Sequence, residues 1–184
     1  MAVVKLLETH NAPLLARPFF QDGDPGPIVR ALAQTPELLQ AAAPLLGTIF
    51  GPTSLDPRTK EVVVLRTSAL AGCSFCTTGH SAAALDAGLR PAQVRALRGD
   101  GDLETAFEDD RDRELIRWVD EMAVGRSGIP EAVQSPIQGR FGDAGLVELA
   151  LLSGVTLLLN RFSTALELPV SEDTVARLEI EGVL

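Results

Sequence analysis

Apolar residues recur at helical spacing through most of the chain, and glycine, proline and short acidic clusters divide the pattern into segments. Residues Pro36 to Phe50 are rich in leucine and alanine, with Thr35 as candidate N-cap and Pro44 as a point that should kink or split the helix. Ahead of them, Pro18, Gly23, Pro25, Gly26 and Pro27 mark a loop. Asp56 followed by Pro57 has the form of an N-cap with proline at the first helical position, and predicts a helix to Ala71. Val62, Val63 and Val64 inside it would also suit a strand; the cap and a length of about fifteen residues favour helix.

Gly72 interrupts the pattern, and Ser74 to Ala87 resumes it up to Gly88, where a C-terminal glycine belongs. Pro91 to Leu97 is a short helix closed by the turn Gly99-Asp100-Gly101-Asp102. Leu103 to Ala123 begins acidic and repeats Leu115, Ile116, Val119 and Met122, which predicts one amphipathic helix with Trp118 on its apolar side. Glu131 to Gln138 reads as a short helix before Gly142, Gly145 to Leu166 as a long buried helix stopped by Pro169, and Ser171 to Leu178 as a small closing helix. No stretch alternates strictly between hairpin turns, so the expected fold class is all-α, a helical bundle forming a single domain over residues 1–184. Glu61 precedes Cys73 by twelve positions and Glu148 precedes Asn160 by the same step. Two related halves, about 36–98 and 103–178, are one reading of that echo; two buried helices of similar composition are the other.

Composition narrows the class of partner. The chain has 184 residues, 46% of them hydrophobic and 22% charged, so a real core forms without staples. A formal net charge of -9 repels polyphosphate and anionic lipid, which argues against nucleic acid and membrane partners. The longest apolar run, Leu146 to Leu159, contains Glu148, stops at Asn160-Arg161, and falls short of the roughly 20 residues a span needs. The N-terminus lacks the features of a secretory leader, so the expected compartment is the cytoplasm. His10, in a polar stretch, reads as solvent-facing, and Asn160-Arg161 as a cap or ion pair inside the bundle or a contact with a neighbouring subunit.

The chemistry is concentrated in the only two cysteines. Cys73, Cys76 and His80 fall at i, i+3 and i+7, which puts all three on one helical face. The pair opens its helix, where unpaired N–H groups and the positive end of the macrodipole favour a thiolate. His80, one turn beyond Cys76, can take a proton or return one near neutral pH. Other readings are cysteines buried as small hydrophobes, or zinc held by Cys73, Cys76, His80 and a carboxylate, although the other histidine, His10, is remote. A thioredoxin-type site would need a βαβ context that the pattern lacks.

Glu61, a twelve-residue step, and then Cys-Ser-Phe-Cys-Thr-Thr-Gly-His from Cys73 to His80 resemble the signature of the alkylhydroperoxidase D-like branch of the carboxymuconolactone decarboxylase-like family, in its peroxidase-related form. The likeness extends from Leu45 to Pro169, taking in Glu148, Asn160-Arg161 and Leu168-Pro169. It implies an all-helical fold around the motif helix, homo-oligomers such as trimers or hexamers, and a hydroperoxide substrate, with no cofactor and no metal. Cys76 would be the sulfur that attacks peroxide and passes through sulfenic acid. Cys73 would resolve it as a Cys73–Cys76 disulfide, and Glu61 and His80 would relay protons. A lipoyl or thioredoxin-like protein would then supply the reducing dithiol. One departure matters: Ser74 and Phe75 fill a spacer that carries a histidine in the peroxidase branch. The decarboxylase branch lacks the cysteine pair, so the motif argues against that activity.

A thiolate that attacks an O–O bond, a proton donor for the leaving alkoxide and a second thiol to condense with the sulfenic acid are what this chemistry requires. The leading expectation is therefore a thiol-dependent peroxidase or disulfide reductase. The alternatives are a non-catalytic redox-sensing or scaffold protein with a switchable dithiol, a decarboxylase-like lyase, or a zinc-binding module. The apolar stretch Leu146 to Leu159 carries more hydrophobic surface than one small bundle needs, which adds an expectation of self-association.

Overall fold

The computed structural model describes residues 2–125 and 127–184. After short 3-10 turns at Thr9–Asn11 and Arg17–Phe20, the helices run α1 (Pro27–Leu32), α2 (Pro36–Phe50), α3 (Pro57–Leu70), α4 (Ser74–Asp86) and α5 (Pro91–Arg98). They continue with α6 (Leu103–Ala106), α7 (Asp110–Val124), α8 (Glu131–Ala165) and α9 (Glu172–Ile180). Among the described residues there is no strand, and the protein is all-α.

The three valines of α3 settle its place in the bundle. Val62, Val63, Val64 and Leu65 are all buried, because α3 is packed by α4, α7 and α8 and has no solvent face over that span. Tertiary burial thus outweighs the strand preference of the valines. The helix starts as Asp56 accepts a hydrogen bond from the Thr59 backbone at 2.9 Å, with Pro57 behind the cap. Around α3 the main core gathers Leu97, Phe107, Leu115, Trp118, Val119, Leu149 and Leu152. The Trp118 indole is buried and donates to Gln134 Oε1 at 2.9 Å, tying α7 to α8.

Three sequence expectations are corrected. The helix α2 is continuous through Pro44. Its far end is clamped by Lys60, whose Nζ donates to the carbonyls of Ile49 at 3.0 Å and Gly51 at 2.6 Å, groups that the end of a helix leaves without partners. The amphipathic helix expected from Leu103 is interrupted. Phe107 is extended and fully buried, α6 ends before it, and Asp109 starts α7 afresh by accepting from the Arg111 backbone. The loop expected between Pro18 and Pro27 begins with helical residues, since the turn Arg17–Phe20 sinks Phe20 into a small satellite core with Leu7, Ala16 and Leu39.

The break at Gly142 is where the sequence puts it. That residue has φ 66 and ψ -178, so two helical stretches meet there within α8 at a conformation that glycine adopts readily. Beyond it, Leu149, Leu152, Thr156, Asn160 and Ser163 form the buried face, while Val147, Leu151 and Leu158 lie exposed on the outer one. By length and composition α8 is the one helix among the described residues that is apolar enough to cross a membrane, yet one of its faces lies in the protein core.

Candidate active site

The site grows from the way α3 ends. Gly72 takes the left-handed conformation at φ 68, its N–H bonding to Ala69 O at 3.0 Å, and the Cys73 N–H bonds to Ser68 O at 3.1 Å. These are the two paired bonds of a Schellman stop, with glycine at the position that needs it. The same Cys73 is then the N-cap of α4, its Sγ accepting the Cys76 backbone N–H at 3.3 Å, in the place a Ser or Asp oxygen usually fills. One residue therefore closes one helix and opens the next, and its sulfur is fixed at the electropositive end of α4.

Both cysteines are free and buried. The Cys76 thiol lies within hydrogen-bonding reach of the Cys73 sulfur, and that bond from Cys76 does most to hold the Cys73 thiol down at about 6. Burial opposes the shift, and the Cys76 backbone N–H, Thr164 and Asn160 add to it. Cys76 moves the other way, pushed up by its bond to Cys73 and by burial. The two sulfurs thus titrate as a pair that keeps one proton across the neutral range. The thiolate that the N-terminal field favours thus falls to Cys73, whose sulfur accepts the Cys76 N–H, while the protonated Cys76 is the sulfur that faces the adjoining cavity. Alkylation by iodoacetamide should accordingly gain one reactive thiol as pH rises through about 6 and then level off. A rise that begins only near the ordinary thiol range would contradict this account.

That cavity has a volume of about 430 Å³. Phe50 from α2, Val64 from α3, Phe75 from α4 and Leu159 from α8 make much of its wall, and Cys76, His80 and Asn160 bring polar groups into it. His80 stands one turn beyond Cys76 on α4. Its Nδ1 meets Glu61 Oε2 of α3 at 2.9 Å, which leaves Nε2 as the ring nitrogen free for other work. The His80 ring also lies 6.1 Å from Phe50, tilted by 36°. Glu61 itself borders a second, more polar cleft with Thr53, Ser54, Asp56 and Lys60, so the Glu61–His80 pair stands between that cleft and the dithiol cavity.

The four residues singled out from the sequence fall along the α3–α4 pair: Cys73 and Cys76 meet where the helices join, and His80, which shares the cavity with Cys76, meets Glu61 further along α3. His10 lies in an exposed 3-10 turn far from them in sequence and lines neither cavity. Among the described residues no three His, Cys, Asp or Glu side chains converge as a metal site would require. Asp102, the last residue of the turn after α5, caps α6 through Thr105. Glu148, the echo of Glu61, has different partners: it accepts from Thr53 and Ser54 and pairs with Lys60 at 3.5 Å. Sequence reasoning did not place Ser68, Ser163 and Thr164 at the dithiol, and it gave Asn160 a structural role. The signal for Asn160 was its phase, since it shares the buried stripe of α8 with Leu149, Leu152 and Thr156.

Comparison with known proteins points the same way. Residues 36–106 match the carboxymuconolactone decarboxylase family. No curated protein sequence matches the chain significantly. Among solved structures, a peroxidase-related protein from Ralstonia eutropha JMP134, described as an alkylhydroperoxidase AhpD core, is similar at 17% identity with a TM-score of 0.81, over 94% of each chain. A peroxidase-related protein from Silicibacter sp. TM1040 has 19% identity and a TM-score of 0.81, over 94% of this chain and 93% of that one. The debrominase Bmp8 has 18% identity and a TM-score of 0.77, over 97% of both.

Proposed function

We propose, from the match of residues 36–106 to the carboxymuconolactone decarboxylase family and from the alkylhydroperoxidase D-like fold, that this protein is a thiol-dependent peroxidase acting on organic hydroperoxides. The observation that carries the reading is a pair of free cysteines at a helix N-terminus, one of which shares an apolar cavity with a histidine held by a half-buried carboxylate.

The chemistry follows from these positions. As a hydroperoxide enters, the proton of Cys76 passes along its bond to the Cys73 sulfur, which makes Cys76 the nucleophile facing the cavity. The Cys76 sulfur attacks the terminal peroxide oxygen; the S–O bond forms as the O–O bond breaks, and the alkoxide leaves with a proton from His80 as an alcohol. Glu61 orients the imidazole through its bond to Nδ1, with the neighbouring polar cleft as the route to water. Cys73 then attacks the Cys76 sulfenic acid, the S–S bond forms, and hydroxide leaves with a proton as water. An external dithiol returns both sulfurs to the reduced state by exchange. Phe75, standing in the Cys-x-x-Cys spacer, lines the cavity, and with Phe50 and Leu159 it favours an apolar organic group over hydrogen peroxide.

Steady-state assay with excess cumene hydroperoxide and a dihydrolipoyl or thioredoxin-like reductant tests the proposal. Continuous alcohol release supports a peroxidase; a single stoichiometric oxidation followed by arrest would make the dithiol a redox switch instead.

We also propose self-association through the outer faces of α8 and α2. Val147, Leu151 and Leu158 share one side of α8 at 68%, 46% and 63% exposure, and Leu38 and Leu45 are exposed on the adjacent α2. A second copy would cover this apolar stripe, whereas the net charge of -9 disfavours an anionic surface. Light scattering at micromolar concentration should give a multiple of the chain mass, and Leu158→Arg should shift it towards one chain. A wild-type protein of one chain mass would refute the proposal.

A further inference from the structure

We infer that Asn160 is a positioning residue for the dithiol, its carboxamide pinned by Ser68 so that a donor and an acceptor face the paired sulfurs of Cys73 and Cys76. Asn160 is buried on α8, and its Nδ2 donates to Ser68 Oγ at 3.0 Å. Ser68 is also the residue whose carbonyl receives the Cys73 N–H at 3.1 Å. The amide and the capping cysteine are therefore anchored on one residue of α3, and their relative position is set by two short bonds.

What remains of the amide is unusual for a buried side chain. Oδ1 is shut away from solvent with no hydrogen-bond partner, and one of the two Nδ2 hydrogens is left over once Ser68 is served. Buried polar atoms without partners are rare and costly, and those that persist call for a role. Asn160 shares the lining of one cavity with Ser68 and Cys76, and Cys73 adjoins Cys76 through its N-cap bond, so the amide stands beside the dithiol; its polar atoms pull both thiols down. A half-ionised dithiol consists of one S–H donor and one thiolate acceptor, and a carboxamide is the neutral side chain that can meet both at once. The next turn of α8 adds hydroxyls in the same place, Thr164 towards Cys73 and Ser163 towards Cys76.

The charged groups around the sulfurs leave this role to a neutral residue. From α3 comes Glu61 and from α4 His80, already bonded to each other. Arg98 of α5 is engaged at Ser81 and Arg177 of α9 at Asp86, towards the far end of α4, and Arg161 of α8 is exposed. Among the described residues no cation bonds either sulfur, so polar donors such as Asn160 hold the negative charge. The inference concerns the reduced protein and stands whatever its oxidant.

The test is a thiolate titration by ultraviolet absorbance on the whole, reduced protein, with the alkylated sulfur mapped by mass. Asn160→Leu keeps the volume and removes both polar atoms. The first ionisation should move up by about one pH unit, a roughly tenfold loss of thiolate at a given pH below the midpoint. A folded Asn160→Leu protein with an unmoved midpoint overturns the inference, because a purely structural asparagine would leave it there. Should that variant fail to fold, Ser68→Ala releases the pin and keeps the amide; a rise of about threefold in the proton affinity supports the inference, and no rise overturns it.

Discussion

Cys76→Ser is expected to turn over no organic hydroperoxide in the presence of a dithiol, a loss of at least roughly a thousandfold, which is the scale of removing a nucleophile. The substitution replaces the sulfur that faces the cavity with a hydroxyl that neither the helix N-terminus nor the Cys73 bond can ionise near neutral pH. The fold should hold, because the backbone N–H of residue 76 still bonds to the Cys73 sulfur and serine is slightly smaller than the side chain it replaces. Cys73→Ser separates the two thiols. It should release one equivalent of alcohol and then stall with a sulfenic acid on Cys76, which a dimedone adduct reveals by mass. Sustained turnover by Cys76→Ser would transfer the nucleophile's role to Cys73.

The largest effect on stability is expected at Lys60. This side chain is buried, holds the C-terminal carbonyls of α2, and pairs with Glu148 of α8. Burial alone would raise the Glu148 carboxyl, but bonds from Ser54 and Thr53 and the charge of Lys60 outweigh it and hold it below its ordinary range. Lys60→Met fills the space but strands two carbonyls and leaves a carboxylate without its counter-charge. Breaking one side of such an arrangement costs about 3 kcal/mol. For a chain of this size that is a fall in Tm of roughly 6–12 °C. Denaturant unfolding checks it, and a loss below about 1 kcal/mol would mean that water replaces the ammonium at no cost.

The motif and its helix were legible because their geometry is local. Once α4 forms, Cys73, Cys76 and His80 must share a face, and Gly72 before them announces the stop of α3. The break at Gly142 was legible for the same reason. What escaped depends on contacts distant in the chain. The clamp of Lys60 on the end of α2 comes from another element, and Phe107 breaks the helix expected from Leu103 because the core claims its ring. Asn160 lies 92 positions from the Ser68 hydroxyl it meets, so no spacing rule could link them. The distribution of charge between two adjacent thiols likewise depends on which backbone N–H points at which sulfur, a matter of caps rather than of residue type.

The Schellman join leaves no slack between the rods it links. Adding a single residue between Leu70 and Ser74 would break the paired bonds that fix the start of α4 against the end of α3. The imidazole would lose its register with Glu61, and Ser68 could no longer anchor both the capping cysteine and the Asn160 amide, although every functional side chain would still be present. Length at this joint is therefore as strict a requirement as side-chain identity.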